Sequence, residues 1–430
     1  MDNVLSHIDK DEVVSLTRQL IRIPSVYRPE RGGNEEQVAL FVAQRLEDMG
    51  LAVSVETVAP GRPNVIAVLH GNAPGKTLMF EGHTDVVTEG DPAEWTHPPF
   101  EDQVEDGRIY GRGACDTQGN LAAAMLALQA IKRSGVPFKG KIVLGVPVDE
   151  EGMMLGIKHF IQQGWADDVD AAIICEPEEN QVCVCQKGAL RVKIETCGVM
   201  SHGAMPLSGF NPLRPMAQII LRIQQLERDE IERLGKDPFL GFPSFTPTVL
   251  QAPAGGDAQL NVMPSRCRLL LDVRTIPGQD HDTLKRQLKD IVGEVEHETH
   301  NDLTQGFECQ TREALQPGLA KTLSFEASVD VFEDRPWTQT PQEDPIVATV
   351  ARAVRRITGK EAVYNGVPGA TDGTFLFSEK NIPIVTTGAG DRMVPHHKDE
   401  WVDIETLYQT TQIYALSALL YLNGEKKASP

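Results

Sequence analysis

The sequence predicts an α/β protein carrying a smaller, inserted α+β domain. Three observations lead there. Strand-like and helix-like segments alternate through the first 186 residues. After Gln186 the pattern shifts to half-exposed strands around two long helices, as in a small antiparallel sandwich. From about Pro336 the first pattern returns. At 430 residues the chain is also too long for one ordinary core. The expected division is 1–187 and 336–430 for the larger domain, with 188–335 inserted.

Taken in order, a helix is expected from about Asp11 to Arg22, ended by Pro24, and a second from Asn34 to Met49. Strands follow at Val53–Val58, Asn64–Leu69 and Lys76–Glu81. A helix at Asn120–Arg133, a strand at Lys141–Val148, a helix at Met154–Gln163 and a strand at Ala171–Cys175 complete this half. In the insertion, Leu190–Thr196 and Cys267–Arg274 alternate apolar and polar with the period of a strand. Helices at Pro212–Arg233 and His281–Glu298 and a strand at Thr322–Phe332 accompany them. The last part reads as a helix at Ile346–Thr358, a strand at Ile382–Thr387 and a helix at Ile404–Leu422.

Composition narrows the function classes. Hydrophobic residues are 41% and charged residues 24%, which is ordinary for a soluble globular protein. The formal charge of −20 repels phosphate backbones and anionic lipid, so neither nucleic acid nor a membrane surface is an expected partner. No basic segment followed by an apolar core opens the sequence, so no signal peptide is expected, and no apolar run is long enough to span a bilayer. The seven cysteines are odd in number and sit mostly in apolar, strand-like contexts; they read as reduced thiols of a cytoplasmic protein. Cys183 and Cys185 have no second cysteine pair, which argues against a structural zinc site.

Five short motifs carry the chemistry. In EGHTDVV, His83 and Asp85 follow an apolar strand, and residues two apart on an extended chain point the same way, so Asp85 can orient His83. In GRGACDTQGN, Asp116 lies in a glycine-rich turn before a helix; alone it reads as a helix cap. In VPVDEEGM, Glu150 and Glu151 are adjacent at a strand end, a costly pairing without a nearby cation. One of them can bind metal while the other moves a proton. ICEPEE brings Glu176, and MVPHHKDEW brings His396 and His397. His83, Glu151 and Glu176 each end a predicted strand, the edge where α/β sheets gather ligands. With Asp116 and His396 they supply two histidines and three carboxylates, a set suited to two metals sharing a carboxylate. Nitrogen and oxygen donors without thiolate suit zinc, with cobalt or manganese able to substitute.

These motifs, in this order, resemble the metallohydrolase family of acetylornithine deacetylase, succinyl-diaminopimelate desuccinylase, aminoacylase and glutamate carboxypeptidase. The resemblance spans nearly the whole chain. It implies a zinc-exopeptidase-like three-layer catalytic domain with an inserted lid, which is also the dimerisation domain of a homodimer. It implies two Zn2+ per chain: His83 and Glu176 on one ion, Glu151 and His396 on the other, Asp116 bridging. Asp85 orients His83, and Glu150 is the general base that deprotonates the attacking water. In GVMSHGAMP, His202 matches a histidine that stabilises the oxyanion, often from the partner subunit. Asn261, Arg274 and Thr371, Asp372 and Gly373 match positions near the substrate carboxylate.

Three points differ or stay open. Asn120 stands where the family often has a second glycine. His397 adjoins His396; the spacing to Asp399 and Glu400 selects His396. Glu176 follows the deacetylase and desuccinylase branch, where several peptidases have aspartate. The expected substrate is a small N-acyl amino acid with a free carboxylate, cleaved at its amide. A dipeptidase or metallocarboxypeptidase is the alternative. Loss of Glu150 or of the bridging ligand would point instead to a non-catalytic binding protein of the same fold, and both are present.

Overall fold

The computed structural model describes residues 2–318 and 323–424. The chain divides into two compact units: Met1–Gln186 with Thr338–Pro430, and Lys187–Trp337.

Unit 1 opens with α1 (Asp2–Leu5), α2 (Lys10–Ile21) and α3 (Glu36–Asp48). Asp9 caps α2 by accepting from Asp11 N. Strands β1 (Ala52–Ala59), β2 (Arg62–His70) and β3 (Ala73–Glu81) follow, then a short ribbon of β4 (Val104–Glu105) and β5 (Arg108–Tyr110). Next come α4 (Gln118–Ser134), β6 (Lys139–Val146), α5 (Leu155–Gln162), β7 (Ala171–Ile174) and β8 (Val182–Gln186).

Unit 2 contains β9 (Gly188–Cys197), β10 (Ser201–His202), α6 (Leu213–Leu234), β11 (Ser244–Gln251), β12 (Val262–Met263), β13 (Arg266–Thr275), α7 (His281–Thr304), α8 (Phe307–Leu315) and β14 (Glu326–Arg335). Unit 1 resumes with β15 (Thr338–Gln339), α9 (Pro345–Thr358), β16 (Tyr364–Val367), α10 (Gly373–Lys380), β17 (Ile384–Thr386), β18 (Trp401–Asp403) and α11 (Ile404–Asn423).

The unit 1 sheet is mixed, with order β1-β2-β6-β3-β7-β17-β8-β15 and β16 beside β8. β3 is parallel to both β6 and β7, and β17 is parallel to β7. Central strands covered on both faces read as unbroken apolar runs, and β7 is buried at every position. On one face Ile157, Phe160 and Phe375 of α5 and α10 pack on Ile66, Met79, Val143 and Ile384 of the sheet. Helices α4 and α11 pack together and against the sheet on the other, which makes three layers. The alanine-rich α4 is buried from Gln118 to Ile131, small side chains allowing close packing on both sides.

Unit 2 is a four-stranded antiparallel sheet, β11-β13-β9-β14. Leu190, Val192, Ile194, Leu269 and Leu271 form its apolar face, covered by Ile219 and Ile223 of α6 and Leu288 and Val292 of α7. The expected strand at Thr322–Phe332 begins outside the described residues at Thr322; the strand present there is Glu326–Arg335. Among the described residues no helix is long and apolar enough to cross a membrane. None of the seven cysteines is in a disulfide.

Candidate metal centre

Three adjacent parallel strands aim their carboxyl ends at one point. His83 follows β3, Glu150 and Glu151 follow β6, and Glu176 follows β7. Asp116 comes from the loop before α4, and His396 from the loop between β17 and β18. Ligand atoms of His83, Asp116 and Glu176 all lie within 4.8 Å of one another, as do those of Asp116, Glu151 and His396. A third grouping joins His83 with Glu150 and Glu151.

Asp116 stands at the middle with one oxygen for each side. Its Oδ1 is 3.4 Å from His83 Nε2, and its Oδ2 is 3.3 Å from His396 Nε2. His83 Nε2 is 3.5 Å from Glu176 Oε1 and 4.0 Å from Glu150 Oε2. His396 Nε2 is 2.9 Å from Glu151 Oε1. His397 belongs to neither cluster; its carbonyl accepts from Arg112.

The tautomer of His83 is set by its surroundings. Its Nδ1 lies 2.9 Å from the main-chain carbonyl of Asp85, so Nδ1–H donates and Nε2 is left with a lone pair. The Asp85 carboxylate is 3.5 Å from Nδ1 and accepts the backbone N–H groups of Glu150 (3.2 Å) and Glu151 (3.0 Å). One residue therefore touches both the histidine and the acidic turn.

The electrostatics test whether divalent metal fits. His83 Nε2 is buried without a hydrogen-bond partner, and its lone pair faces carboxylate oxygens. Burial, with Asp116 next to it, pushes Glu176 up to about 8. Burial also holds Glu150 well above the usual carboxylate range. Hydrogen bonds that His396 donates to the Asp116 and Glu151 carboxylates raise it to about 10. Burial opposes ionisation of Asp116, but the neighbouring His396 and His83 imidazoles outweigh it and hold this group low. Four acidic groups and two imidazoles packed in this way are a donor set that divalent cations satisfy.

The supporting loops are stitched together. Glu400, fully buried, accepts the N–H groups of Gly113 (3.1 Å), Cys115 (2.9 Å) and Asp116 (3.0 Å) and pairs with buried Arg112. Asn120 bridges the Asp116 loop to the segment after β17: its Nδ2 donates to Cys115 O and Ala389 O, and its Oδ1 accepts Ala389 N at 2.7 Å. Gly388 is required there, because a Cβ would come within 2.6 Å of both Asn120 Oδ1 and Glu176 O. His396 adopts φ +66, a left-handed backbone uncommon for histidine. Three residues on, Asp399 fastens the loop by accepting from Thr96 N (2.7 Å) and His97 N (2.8 Å).

The remaining predicted site residues are dispersed. Thr371 and Asp372 are buried before α10, and Thr371 Oγ1 donates to Gln186. Gly373 begins α10, its N–H directed to Thr371 Oγ1. His202, Asn261 and Arg274 belong to unit 2. His202 is exposed on the two-residue strand β10, its Nδ1 accepting from Ala204 N at 3.0 Å. Asn261 is exposed just before β12. Arg274 is half-buried on β13 and pairs with Asp272 at 2.9 Å. In the sequence Glu400 serves only as a spacing mark for His396, and neither its buried role, nor that of Arg112, nor the structural use of Asn120 can be read there. A buried acid in KDEW with a buried arginine in GRG leaves no periodic signal.

An α/β sheet whose parallel strands direct His83, Glu150, Glu151 and Glu176 at one point, joined there by Asp116 and His396 from loops, is the frame of a hydrolase acting on amide or peptide bonds. Residues 79–419 match the sequence profile of peptidase family M20/M25/M40, and the chain belongs to that family. It is similar to a probable succinyl-diaminopimelate desuccinylase of Staphylococcus epidermidis, 24% identical over 432 residues that cover 96% of this chain and 97% of the relative. It is 27% identical over 409 residues to a succinyl-diaminopimelate desuccinylase of Paracoccus denitrificans, covering 93% and 95%. Among solved structures it resembles an M20 family metallo-carboxypeptidase of Sulfolobus solfataricus, with TM-score 0.74, 18% identity, and 95% and 99% covered.

Proposed function

We propose that the chain is a dinuclear metal-dependent amidohydrolase that releases an amino acid from a small N-acyl precursor. The observation that carries this reading is Asp116, whose two oxygens face two separate histidine–carboxylate pairs. His83 and Glu176 would hold one ion, Glu151 and His396 the other, with Asp116 shared. Zinc suits these donors, and cobalt or manganese would substitute. Two such ions supply Lewis acidity, making water acidic enough to attack and offsetting charge that develops on the scissile carbonyl oxygen.

The chain's own residues do the rest. Glu150 lies beside His83, its Oε2 4.0 Å from Nε2, and its burial favours proton uptake. It takes a proton from the attacking water and passes it to the departing nitrogen. Asp85 keeps Nε2 of His83 free as a ligand. We assign His202 to the oxyanion and Arg274, Asn261 and the Thr371–Gly373 segment to the substrate carboxylate. Unit 2 serves as lid and homodimer contact, and the enzyme works in the cytoplasm.

An acyl amino acid is favoured over a dipeptide by the names of the curated relatives and by glutamate at position 176. Metal-loaded enzyme should be assayed against N-acetyl, N-succinyl and N-carbamoyl amino acids and against dipeptides. Turnover of the acyl series, abolished by chelation and restored by zinc or cobalt, is expected. Full activity of the metal-free protein would end the proposal, and turnover of dipeptides alone would move the enzyme to the peptidases.

A further inference from the structure

The turn that carries Glu150 and Glu151 has an unusual support beneath it. Asp149, which precedes them, adopts φ +67, and Met154 at the far side of the turn adopts φ +53. Left-handed backbone at non-glycine residues persists only where the surroundings hold it. Asp149 is held from both its ends. Its main-chain oxygen accepts Gly152 N (3.2 Å) and Met154 N (2.7 Å). Its Oδ2 accepts Met153 N (3.0 Å) and Leu155 N (3.3 Å). Its Oδ1 is 2.7 Å from Nη2 of Arg62.

Arg62 is at the start of β2, only 4% exposed, and its other partner is Glu35, at 0%. Arg62 Nε lies 2.9 Å from each Glu35 oxygen, and the ring of Tyr27 covers the guanidinium at 3.7 Å. A planar fork with two carboxylates fixes direction as well as charge. Two residues along the same strand, Asn64 grips the flanks of the turn, accepting Val148 N (3.1 Å) and donating to Gly156 O (2.8 Å). On the other side the Asp85 carboxylate takes the N–H groups of Glu150 and Glu151. The acidic turn is thus clamped between β2 and the end of β3.

Stability alone is a weak reason for such a triad. Two buried carboxylates around one guanidinium leave a net negative charge in the interior, and apolar side chains of similar volume commonly do as well or better. What the triad does achieve is a fixed direction for the residue next to Glu150. We propose that Glu35, Arg62 and Asp149 are positioning residues: the triad locks the Asp149 backbone so that Glu150 and Glu151 face His83, and so sets the rate of the chemical step rather than substrate affinity. This rests on Glu150 being the proton carrier proposed above. The ion pairs of the triad are with one another and not with a proposed ligand atom.

The test uses full-length, metal-loaded enzyme. The pair Glu35→Gln/Arg62→Gln removes both charges and keeps hydrogen-bonding groups. Arg62→Lys keeps the charge without the fork. Gly152→Ala keeps all three triad residues but sets a Cβ at 2.3 Å from Asp149 Oδ1, the oxygen that pairs with Arg62, so it disturbs the same contact without deleting a buried charge and remains informative if the double variant does not fold. Metal per chain, kcat and KM are measured for each, with Glu150→Ala alongside.

For the double variant and Gly152→Ala we expect two metals retained, KM within about threefold, and kcat down by on the order of 100-fold, the scale of a 1 Å misplacement. Arg62→Lys should recover part of that loss. Wild-type kcat in folded, metal-replete variants overturns the proposal, as does a loss confined to KM or one that tracks lost metal. If instead Glu150→Ala itself keeps wild-type kcat, it is the reading of Glu150 that fails.

Discussion

Replacing Glu400 by glutamine tests whether the site depends on a residue that touches no proposed ligand atom with its own side chain except through main-chain N–H groups. Glu400 is 0% exposed and its neighbour Arg112 is 2% exposed. Burial, with Asp116 close by, lifts the Glu400 carboxyl to about 7, while Arg112 and the Asp116 N–H pull the other way. Glutamine keeps one oxygen for Gly113, Cys115 and Asp116 but turns an amide NH2 toward the guanidinium, donor against donor. Removing one partner of a buried pair costs roughly 3–5 kcal/mol. The Asp116 loop then loses a charged acceptor, and residues that orient a metal ligand are typically worth about 10–100-fold in metal affinity. Because each Asp116 oxygen faces a different cluster, both ions should weaken together. The assay is a competitive chelator titration of wild type and variant, with thermal unfolding followed in parallel. Unchanged affinity for both ions, alongside the full stability loss, would show that Glu400 serves the fold alone and that the loop keeps its shape without it.

Three further outcomes are expected. Glu150→Ala should retain both metals and lose roughly two to four orders of magnitude in rate, the usual worth of a positioned base, whereas Glu151→Ala should also lose metal; equal metal loss in both would undo the assignment of the pair. His202→Ala should lower turnover strongly, since a donor to a developing oxyanion is worth about 2.7–4 kcal/mol, without changing metal content; if the histidine acts across a dimer, mixing its chains with Glu150→Ala chains should restore part of the activity, and no recovery after verified subunit exchange would exclude that arrangement. In unit 2, burial pushes the Asp334 carboxyl up, but hydrogen bonds from His281 and Lys285 outweigh it and hold the group low. A depressed folded value means that its stabilisation is complete above the unfolded value, about 3.9, and is lost as pH falls through the folded one. The thermal stability gap between wild type and Asp334→Asn should therefore be steady near neutrality and narrow progressively as pH falls below about 4; a gap that stays undiminished throughout the acid range in which the protein is folded would show that ionisation is not its source.

What could be read from the sequence divides along a physical line. Elements marked by a sustained apolar run or by clean alternation were legible to within a few residues: α4 and β7 are buried along nearly all their length, α11 mainly over its second half, and β9 and β13 alternate. Elements with neither mark escaped. β11 is an edge strand with Pro247 and a bulge, exposed along most of its length, and β8 shows in the sequence only as a pair of cysteines. The site follows the same division. His83, Glu151 and Glu176 lie just past strand ends, Asp116 in a glycine-rich turn and His396 in a loop, places where chain direction changes and an acid or histidine stands out. Their supports do not stand out, because they come from distant parts of the chain: Glu400 reaches residues 113–116, Asn120 reaches 389, and Arg62 joins residues 35 and 149. A motif records which atoms are available to chemistry. Only the fold brings together the groups that decide where those atoms point, so a ligand set can be complete in the sequence while its geometry is still undetermined.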